Sequence, residues 1–247
     1  MMSCASRLLL SFVLALASPL YADSILEGRA AFAKGDYAAA AEAFRSALST
    51  NGPSAGLYYN LATAEQKSGR RAEAAVSLRR ALMLDPRMID ARITLSEIER
   101  SQGVPLAPSS WREIVAEHAP IKTLLIVGCA LAWLGAFLLL FAIFARGGRV
   151  LPLAGATGLL ILGVGIFLLG YLADPRVSER NFAVVRESEG VALLSSPANQ
   201  SATVTRLPAA SSVRILQERG EWTFCSGPGG EKGWAPSKSL EAVVPAA

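Results

Sequence analysis

Two apolar segments near the middle of the chain constrain its architecture more than any other feature. Residues 123–145 and 150–173 contain no charged residue. A helix rises about 1.5 Å per residue, so each segment is long enough to cross a hydrocarbon core of about 30 Å. We therefore predict two membrane spans, over residues 121–145 and 150–173, joined by a short turn at 146–149.

The net charge of +4 comes from the flanks of apolar segments. The two polar regions are neutral, with twelve basic and twelve acidic residues in 23–120 and eight of each in 174–247. The four remaining basic residues are Arg7, Lys122, Arg146 and Arg149. Binding of nucleic acid needs a basic patch on a folded face, so we expect no nucleic-acid partner.

The start of the chain and the turn between the spans predict a topology. Arg7 precedes a short apolar run and small residues, a pattern typical of a secretory signal, which we place at residues 1–22 with cleavage after Ala17 as the alternative. The turn carries Arg146 and Arg149 and no acid, which favours the cytoplasmic side. Both polar regions should then lie outside the cytoplasm.

The first polar region contains an internal repeat. Residues 35–48 align with residues 69–82 without a gap. The recurring pairs are Gly35 and Gly69, Ala40 and Ala74, Phe44 and Leu78, Ala47 and Ala81, and Leu48 and Leu82. The period, about 34 residues, and the pattern resemble the tetratricopeptide repeat, an all-α array of helix pairs. We predict two repeats plus a capping helix over 23–102, followed by a linker and juxtamembrane helix over 103–120.

The resemblance also implies a binding face. Tetratricopeptide arrays present their first helices to extended peptides, and about three repeats are usually needed for stability, so we expect a partner or a homo-oligomer. The predicted protein-binding residues are Arg29, Tyr59, Asn60, Thr63, Gln66 and Lys67, with Ile93 and Glu97 on the capping helix. Asn60 matches an Asn that some members use to hold a C-terminal carboxylate. Asp90 and Thr94 stand where the next basic pair would be, which argues against that mode, and an ordinary solvated helix face is the alternative interpretation.

The second polar region has the composition of a small all-β domain. Short alternating strands separated by Pro, Gly and Asn fill residues 177–244. The ending, with a Trp strand, a Gly-rich turn and Gly233-Trp234-Ala235-Pro236, resembles the bacterial SH3 domain, although Ala235 replaces the usual Val and the Gly that normally precedes the strand at Val213 is missing. We predict an SH3-like barrel. Its candidate residues, which either cover the barrel ends or line a ligand groove, are Trp222, Trp234 and Pro236.

Groups that could perform chemistry are few. His118 is the single His, and no second ligand stands at a metal-binding spacing from it. Cys4, Cys129 and Cys225 lie in three different segments, so no internal disulfide framework is expected. The sequence shows no phosphate-binding loop and no nucleophile with its base. We expect no enzyme activity, no cofactor and no metal.

The order of the parts resembles one family of proteins. Signal, tetratricopeptide repeats, two spans and a terminal SH3-like domain make up the layout of the BatE-like proteins of the bacterial aerotolerance (Bat) operons. The resemblance implies a multi-pass protein of the bacterial inner membrane with both polar regions in the periplasm, and von Willebrand A-type Bat proteins and a MoxR-type ATPase as partners. We predict a non-enzymatic scaffold in aerotolerance or envelope stress complexes. The alternative is an envelope sensor that binds the peptide of peptidoglycan through the SH3-like domain.

Overall fold

The computed structural model describes residues 19–105, 110–144, 150–178 and 181–244. These residues divide into two compact units. The first unit combines the described residues of 1–107 and 181–247, and the second contains those of 108–180. Most of the predicted signal and the whole predicted turn at 146–149 lie outside the described residues.

Five helices form the first part of unit one. They are α1 (Pro19–Ala33), α2 (Tyr37–Asn51), α3 (Ala55–Lys67), α4 (Arg71–Leu84) and α5 (Ile89–Ser101). Neighbouring helices pack in sequence order, α1 on α2, α2 on α3, α3 on α4 and α4 on α5. The predicted all-α array is confirmed, and its division into two repeats and a capping helix stays a prediction.

The repeat period marks the ends of the first helices. Gly35 follows α1 with φ +81° and Gly69 follows α3 with φ +85°. Glycine adopts this left-handed region without the steric cost that a Cβ adds, so it ends a helix without strain. Asp36 then starts α2, since its side chain accepts a hydrogen bond of 3.0 Å from the backbone N–H of Ala39.

The two helix pairs fill equivalent core positions with side chains of different size. A Cβ on Gly28 would lie 2.7 Å from Cε1 of Phe44, whose side chain is 2% exposed. The residues one repeat period later are Ala62 and Leu78, both fully buried in one apolar cluster. The first pair therefore combines the smallest residue with a ring, whereas the second combines a methyl group with a smaller branched side chain.

The C-terminal strands form one antiparallel sheet. They are β1 (Phe182–Val185), β2 (Val191–Leu194), β3 (Thr203–Leu207), β4 (Ser212–Arg219), β5 (Trp222–Ser226), β6 (Lys232–Pro236) and β7 (Leu240–Ala242). The strand order is β3-β2-β6-β5-β4-β1-β7. The predicted all-β region is confirmed, but the predicted barrel is not, because the sheet is not closed. Among the described strands β3 pairs with β2 alone and β7 pairs with β1 alone.

The sheet packs against the helices of unit one. Val184, Ala210 and Val243 are fully buried in the same apolar cluster as Leu78 of α4 and Ile98 of α5. Ala210 has φ +61°, and its N–H donates to the carbonyl oxygen of Val185 at 3.0 Å. Helices and sheet therefore share one core, although the whole of unit two lies between them in the chain.

Arg80 adds a polar contact to this shared core. Its Nε donates to the carbonyl oxygen of Val243 at 3.0 Å. Its Nη2 donates to the carbonyl oxygen of Ala242 at 3.0 Å and to Oε1 of Glu241 at 3.1 Å. The planar guanidinium fork of an α4 residue thus holds the end of β7 at three oxygen atoms.

Unit two is built on two long helices. Its helices are α6 (Trp111–His118), α7 (Ile121–Phe144), α8 (Val150–Ala173) and the short α9 (Pro175–Ser178). Residues 121–144 and 153–173 are long and apolar enough to cross a membrane, with mean hydropathies of 2.6 and 2.2. They cover nearly the same residues as the two charge-free segments, and their crossing of a membrane stays a prediction.

Glycines let α7 and α8 approach closely. A Cβ on Gly128 would lie 2.5 Å from the backbone N of Phe167, and one on Gly163 would lie 2.3 Å from the backbone N of Ala132. Contact positions fall on α8 as they rise on α7, so the helices are antiparallel. Small residues at such crossings allow backbone contact between apolar helices.

We predict that Gly28→Ala lowers the free energy of unfolding by about 1–3 kcal/mol, because the added methyl group overlaps the buried ring of Phe44. Phe44→Leu should relieve that overlap, so the double variant, which carries the residue pair of the second repeat, should lose less stability than the two single variants summed. Thermal unfolding of the full chain, followed by circular dichroism at 222 nm, measures all four proteins. Strict additivity would contradict the packing described for this pair.

Candidate functional site

The predicted binding residues lie on the first helices of the array. Arg29 is exposed on α1, and five others follow one another along α3 without being buried. These five are Tyr59, Asn60, Thr63, Gln66 and Lys67. Arg29 and Thr63 are one repeat period apart and so occupy equivalent positions of the two helix pairs. We call the surface formed by these six residues the first-helix face.

Apolar side chains extend the first-helix face at both ends. Ile93 of α5, one repeat period after Tyr59, is 52% exposed. Leu26 of α1, one repeat period before Asn60, is 58% exposed. The sequence prediction missed Leu26, although the repeat period already placed it beside Arg29. The face therefore offers apolar contacts at its ends and polar groups in its middle.

Two members of this face are partly engaged within the array. Tyr59 packs its half-buried ring against the apolar cluster that α4 and the sheet share. The hydroxyl of Thr63 donates to the carbonyl oxygen of Tyr59 at 2.8 Å. Both side chains consequently have a fixed orientation, which lowers the entropy cost of binding a ligand.

A buried carboxylate, absent from the sequence predictions, holds α3 in place. Glu65 is only 2% exposed. Its Oε1 accepts from Nη2 of Arg45 on α2 at 2.7 Å, and its Oε2 accepts from Oγ of Ser77 on α4 at 2.8 Å. One side chain of α3 is therefore tied to both neighbouring helices, which fixes the helix that carries most of the first-helix face.

The electrostatics of this carboxylate depend on its partners. Burial raises the pKa of Glu65, and the hydrogen bonds from Ser77 and Arg45 offset part of that shift. Arg45 also binds the exposed Glu42. The Glu65 charge is thus tolerated inside the array because two donors from different helices meet it.

The three predicted groove residues of the sheet lie on one face. Trp222 is opposite Pro236, and Phe224 is opposite Trp234, in the β5–β6 ladder. Cross-strand partners and residues two positions apart point to the same side of a sheet, so these four side chains form one half-buried surface, the aromatic face. The rings of Phe224 and Trp234 have centroids 5.1 Å apart. Phe224 is the member that the sequence prediction omitted.

The opposite face of the same two strands belongs to the core. Cys225 and Ala235 are fully buried in the apolar cluster of the sheet. Burial raises the pKa of the Cys225 thiol to about 11, so this thiol is protonated at neutral pH. Cys129 is exposed on α7, and Cys4 lies outside the described residues.

Groups suited to metal binding do not converge within the described ranges. In residues 19–105, 110–144, 150–178 and 181–244, no three His, Cys, Asp or Glu side chains are placed to hold a metal ion. Nδ1 of His118 lies 2.9 Å from the carbonyl oxygen of Ile114 one turn earlier in α6.

The family match concerns the array. Residues 31–92 match the tetratricopeptide repeat family, which confirms the predicted repeat type over that range. Among solved structures, the chain is similar to one described as the crystal structure of MamA, at 17% sequence identity, with 68% of this chain and 86% of that chain covered and a TM-score of 0.33. The comparison with curated proteins gave no match.

We predict that Arg45→Ala destabilises the array by about 1–3 kcal/mol at neutral pH, because it leaves the Glu65 carboxylate with one donor fewer. Removing the guanidinium raises the pKa of Glu65 further above its unfolded value. The added penalty is therefore fully present above the folded-state pKa of Glu65 in the variant, and it is lost as the pH falls through the folded-state pKa of the wild type, because Glu65 is then protonated in both folded proteins. Urea unfolding of wild type and variant at pH 7.5 and pH 5 measures the difference.

Glu65→Gln is the matched control for this experiment. In the Glu65→Gln background the penalty of Arg45→Ala should shrink and lose its pH dependence, since no buried charge remains. An Arg45→Ala penalty that is equal at both pH values, or unchanged by Glu65→Gln, would contradict the role given to this pair.

Proposed function

We propose that this protein is a non-enzymatic, membrane-anchored scaffold that binds a segment of another protein on its first-helix face. The observation that carries the proposal is that none of the six residues of this face is buried, while the array is packed on its α4 side by the sheet. Tetratricopeptide repeats generally mediate protein–protein interactions, and the family match over residues 31–92 supports such a role here.

An extended peptide fits the chemistry of the first-helix face. Leu26 and Ile93 provide apolar contacts, and Asn60 and Gln66 provide side-chain amides that both donate and accept hydrogen bonds. Arg29 and Lys67 add positive charge. The partner segment in this proposal is therefore extended, carries apolar side chains at intervals and has acidic residues near its middle.

The two long apolar helices anchor the scaffold in this proposal. Chain on both sides of them, residues 19–105 and 181–244, folds into a single compact unit. Such a unit requires the chain to enter and leave the membrane on the same side, which two antiparallel spans achieve. Arg146 and Arg149 favour a cytoplasmic turn, so the unit lies in the periplasm of the bacterial inner membrane.

The order of the parts along the chain also suggests a more specific identity. We propose that the C-terminal sheet is an SH3-like domain and that the chain works as a BatE-like protein, with von Willebrand A-type Bat proteins among its partners in aerotolerance or envelope stress complexes. The support is the resemblance of the sequence together with an antiparallel all-β region that follows the two apolar helices.

We predict that a photo-crosslinking amino acid at position 63 captures a defined protein partner in intact cells, because Thr63 lies at the centre of the first-helix face. Position 46, an exposed Ser on α2, is the matched control and should give no crosslink to that partner. Arg29→Glu should reduce the capture at position 63. Equal capture at both positions, or no capture at position 63, would contradict binding of a partner on the first-helix face.

The topology gives a separate expectation. Reporter fusions after Ser110 and after Val244 should be active only outside the cytoplasm, and a fusion at Gly147 only inside it. We expect this because the regions before and after the two apolar helices fold into one unit, whereas the basic turn lies in the cytoplasm. An external signal at Gly147 would overturn both the topology and the proposed compartment.

One observation favours a second candidate function. The aromatic face places Trp222, Phe224 and Trp234 beside Pro236, a combination that suits stacking against a peptide. The protein would then be an envelope sensor that binds the peptide of peptidoglycan. In that case position 63 captures no protein, and binding of the full chain to purified peptidoglycan is lost on Trp222→Ala.

A further inference from the structure

The short helix α6 carries apolar side chains that neither proposed function uses. Trp111 and Ile114 are each 50% exposed. With about 100° of rotation per residue, these two side chains and Val115 lie on one side of the helix, which we call the apolar side of α6. Among the described side chains of α6 only Ala116 is buried, at 3% exposure, and it lies on the opposite side. The helix therefore turns its smallest side chain inward and its largest apolar side chains outward.

A short link holds α6 close to the start of α7. Two residues separate the helices, so three Cα–Cα steps of about 3.8 Å place Ile121 within about 11 Å of His118. Pro120 starts α7, because its carbonyl oxygen accepts from the backbone N–H of Leu124 at 3.0 Å. The end of α6 is therefore tied to the point at which the first apolar helix begins.

Packing holds α6 at one end of the pair formed by α7 and α8. A Cβ on Gly170, near the end of α8, would lie 3.1 Å from Cβ of Leu124 in the first turn of α7. α6 packs on α8 and on α9, which follows α8 after a single residue. The helix is thus held beside the end at which the chain enters and leaves the pair.

The depth of α6 selects the partner of its apolar side. If α7 crosses a membrane as in the proposed scaffold, the hydrocarbon core begins at about Ile121, and the headgroup region outside it is about 5–8 Å thick. A helix within about 11 Å of Ile121 and packed beside α8 lies at the level of the headgroups. Tryptophan is enriched at this level, because its ring is apolar and its N–H is polar.

The charged groups of α6 fit the same level. The guanidinium carbon of Arg112 lies 5.5 Å from the centroid of the Trp111 ring, which is a cation–π distance. A long basic side chain at a membrane boundary lays its stem along apolar surface and keeps its charge near water. The helix carries one Arg and two Glu, so it has no positive excess that would select anionic lipids. A phospholipid surface without net charge therefore meets its requirements.

We propose that α6 is an interfacial helix that inserts Trp111 and Ile114 at the boundary between phospholipid headgroups and acyl chains. The proposal rests on the membrane anchoring of the proposed scaffold, and it adds a second membrane contact to the two apolar helices. The apolar side of α6 faces the acyl chains, Ala116 faces the packed helices, and Arg112 reaches the headgroups from the edge of the apolar side.

Spin labelling of the full chain in phosphatidylcholine nanodiscs tests the depth of α6. The chain carries Cys4→Ser and Cys129→Ser, and the thiol of Cys225 is buried and does not compete for the label. A nitroxide at Ile114→Cys should relax more with oxygen, which concentrates among acyl chains, than with the water-soluble nickel complex of ethylenediaminediacetate. Its depth should be about 5–10 Å into the boundary of headgroups and acyl chains.

Three further label positions are the controls. Ile93→Cys, at an Ile with a similar exposure of 52%, should respond mainly to the nickel complex, because α5 lies outside the membrane in the proposed scaffold. Arg112→Cys points away from Ile114 on α6 and should be shallower than Ile114→Cys. Phe137→Cys on α7, at a residue that is 68% exposed, should be the deepest.

The controls separate this proposal from the proposed scaffold. A label at Phe137 that responds to the nickel complex would overturn the anchoring and, with it, the role of α6. A label at Phe137 within the lipid and a label at Ile114 in water would overturn the role of α6 alone. A label at Ile114 that neither reagent reaches would mean that protein covers the helix, which also contradicts the proposal.

The contribution of Trp111 has its own test. Trp111→Ala should move the label at position 114 towards water, because it removes the larger of the two inserted side chains. Trp111→Tyr keeps an aromatic ring with a polar tip and should leave the depth nearly unchanged. Since Trp111 is half-exposed, both variants leave the buried residues of the protein in place. An unchanged depth in Trp111→Ala would contradict insertion of this ring.

Discussion

The structure depends on one contact, the packing of the C-terminal sheet against α4. Two helix pairs and one further helix are a short array, and such arrays need neighbours to bury their apolar surfaces. Val184, Ala210 and Val243 supply that cover in the core that Leu78 and Ile98 line. Because the covering residues come from beyond both apolar helices, the array packs against a segment that is distant from it in the sequence.

This contact also buries one side of the array and leaves another side exposed. The α4 side is used internally, through the shared core and the three hydrogen bonds of Arg80. The first-helix face is left to solvent, and Glu65 fixes α3 beneath it by binding α2 and α4. In the proposed scaffold function, a rigid and uncovered face favours binding of an extended segment, since little order must be gained on binding.

The features that follow from local pattern were predictable from the sequence. The repeat period located Gly35 and Gly69, whose positive φ ends the first helices, and charge-free length located the two apolar helices. The motif around Trp234 located the strands that carry the aromatic face. The sequence lacks the Gly that normally precedes the strand at Val213. The left-handed conformation is nevertheless present there, because Ala210 adopts it despite its Cβ.

Contacts between distant residues were not predictable in this way. Glu65 meets Arg45 of the preceding helix, and Arg80 meets the chain after β7 at the far end of the sequence, and neither pairing leaves a period in the sequence. The open sheet likewise depends on which strands become edges.

The most direct test of the contact between sheet and array is hydrogen–deuterium exchange of the full chain and of a chain that ends at residue 180. We expect faster exchange across Arg71–Leu84 in the shorter chain, and unchanged protection there would contradict the dependence of the array on the sheet.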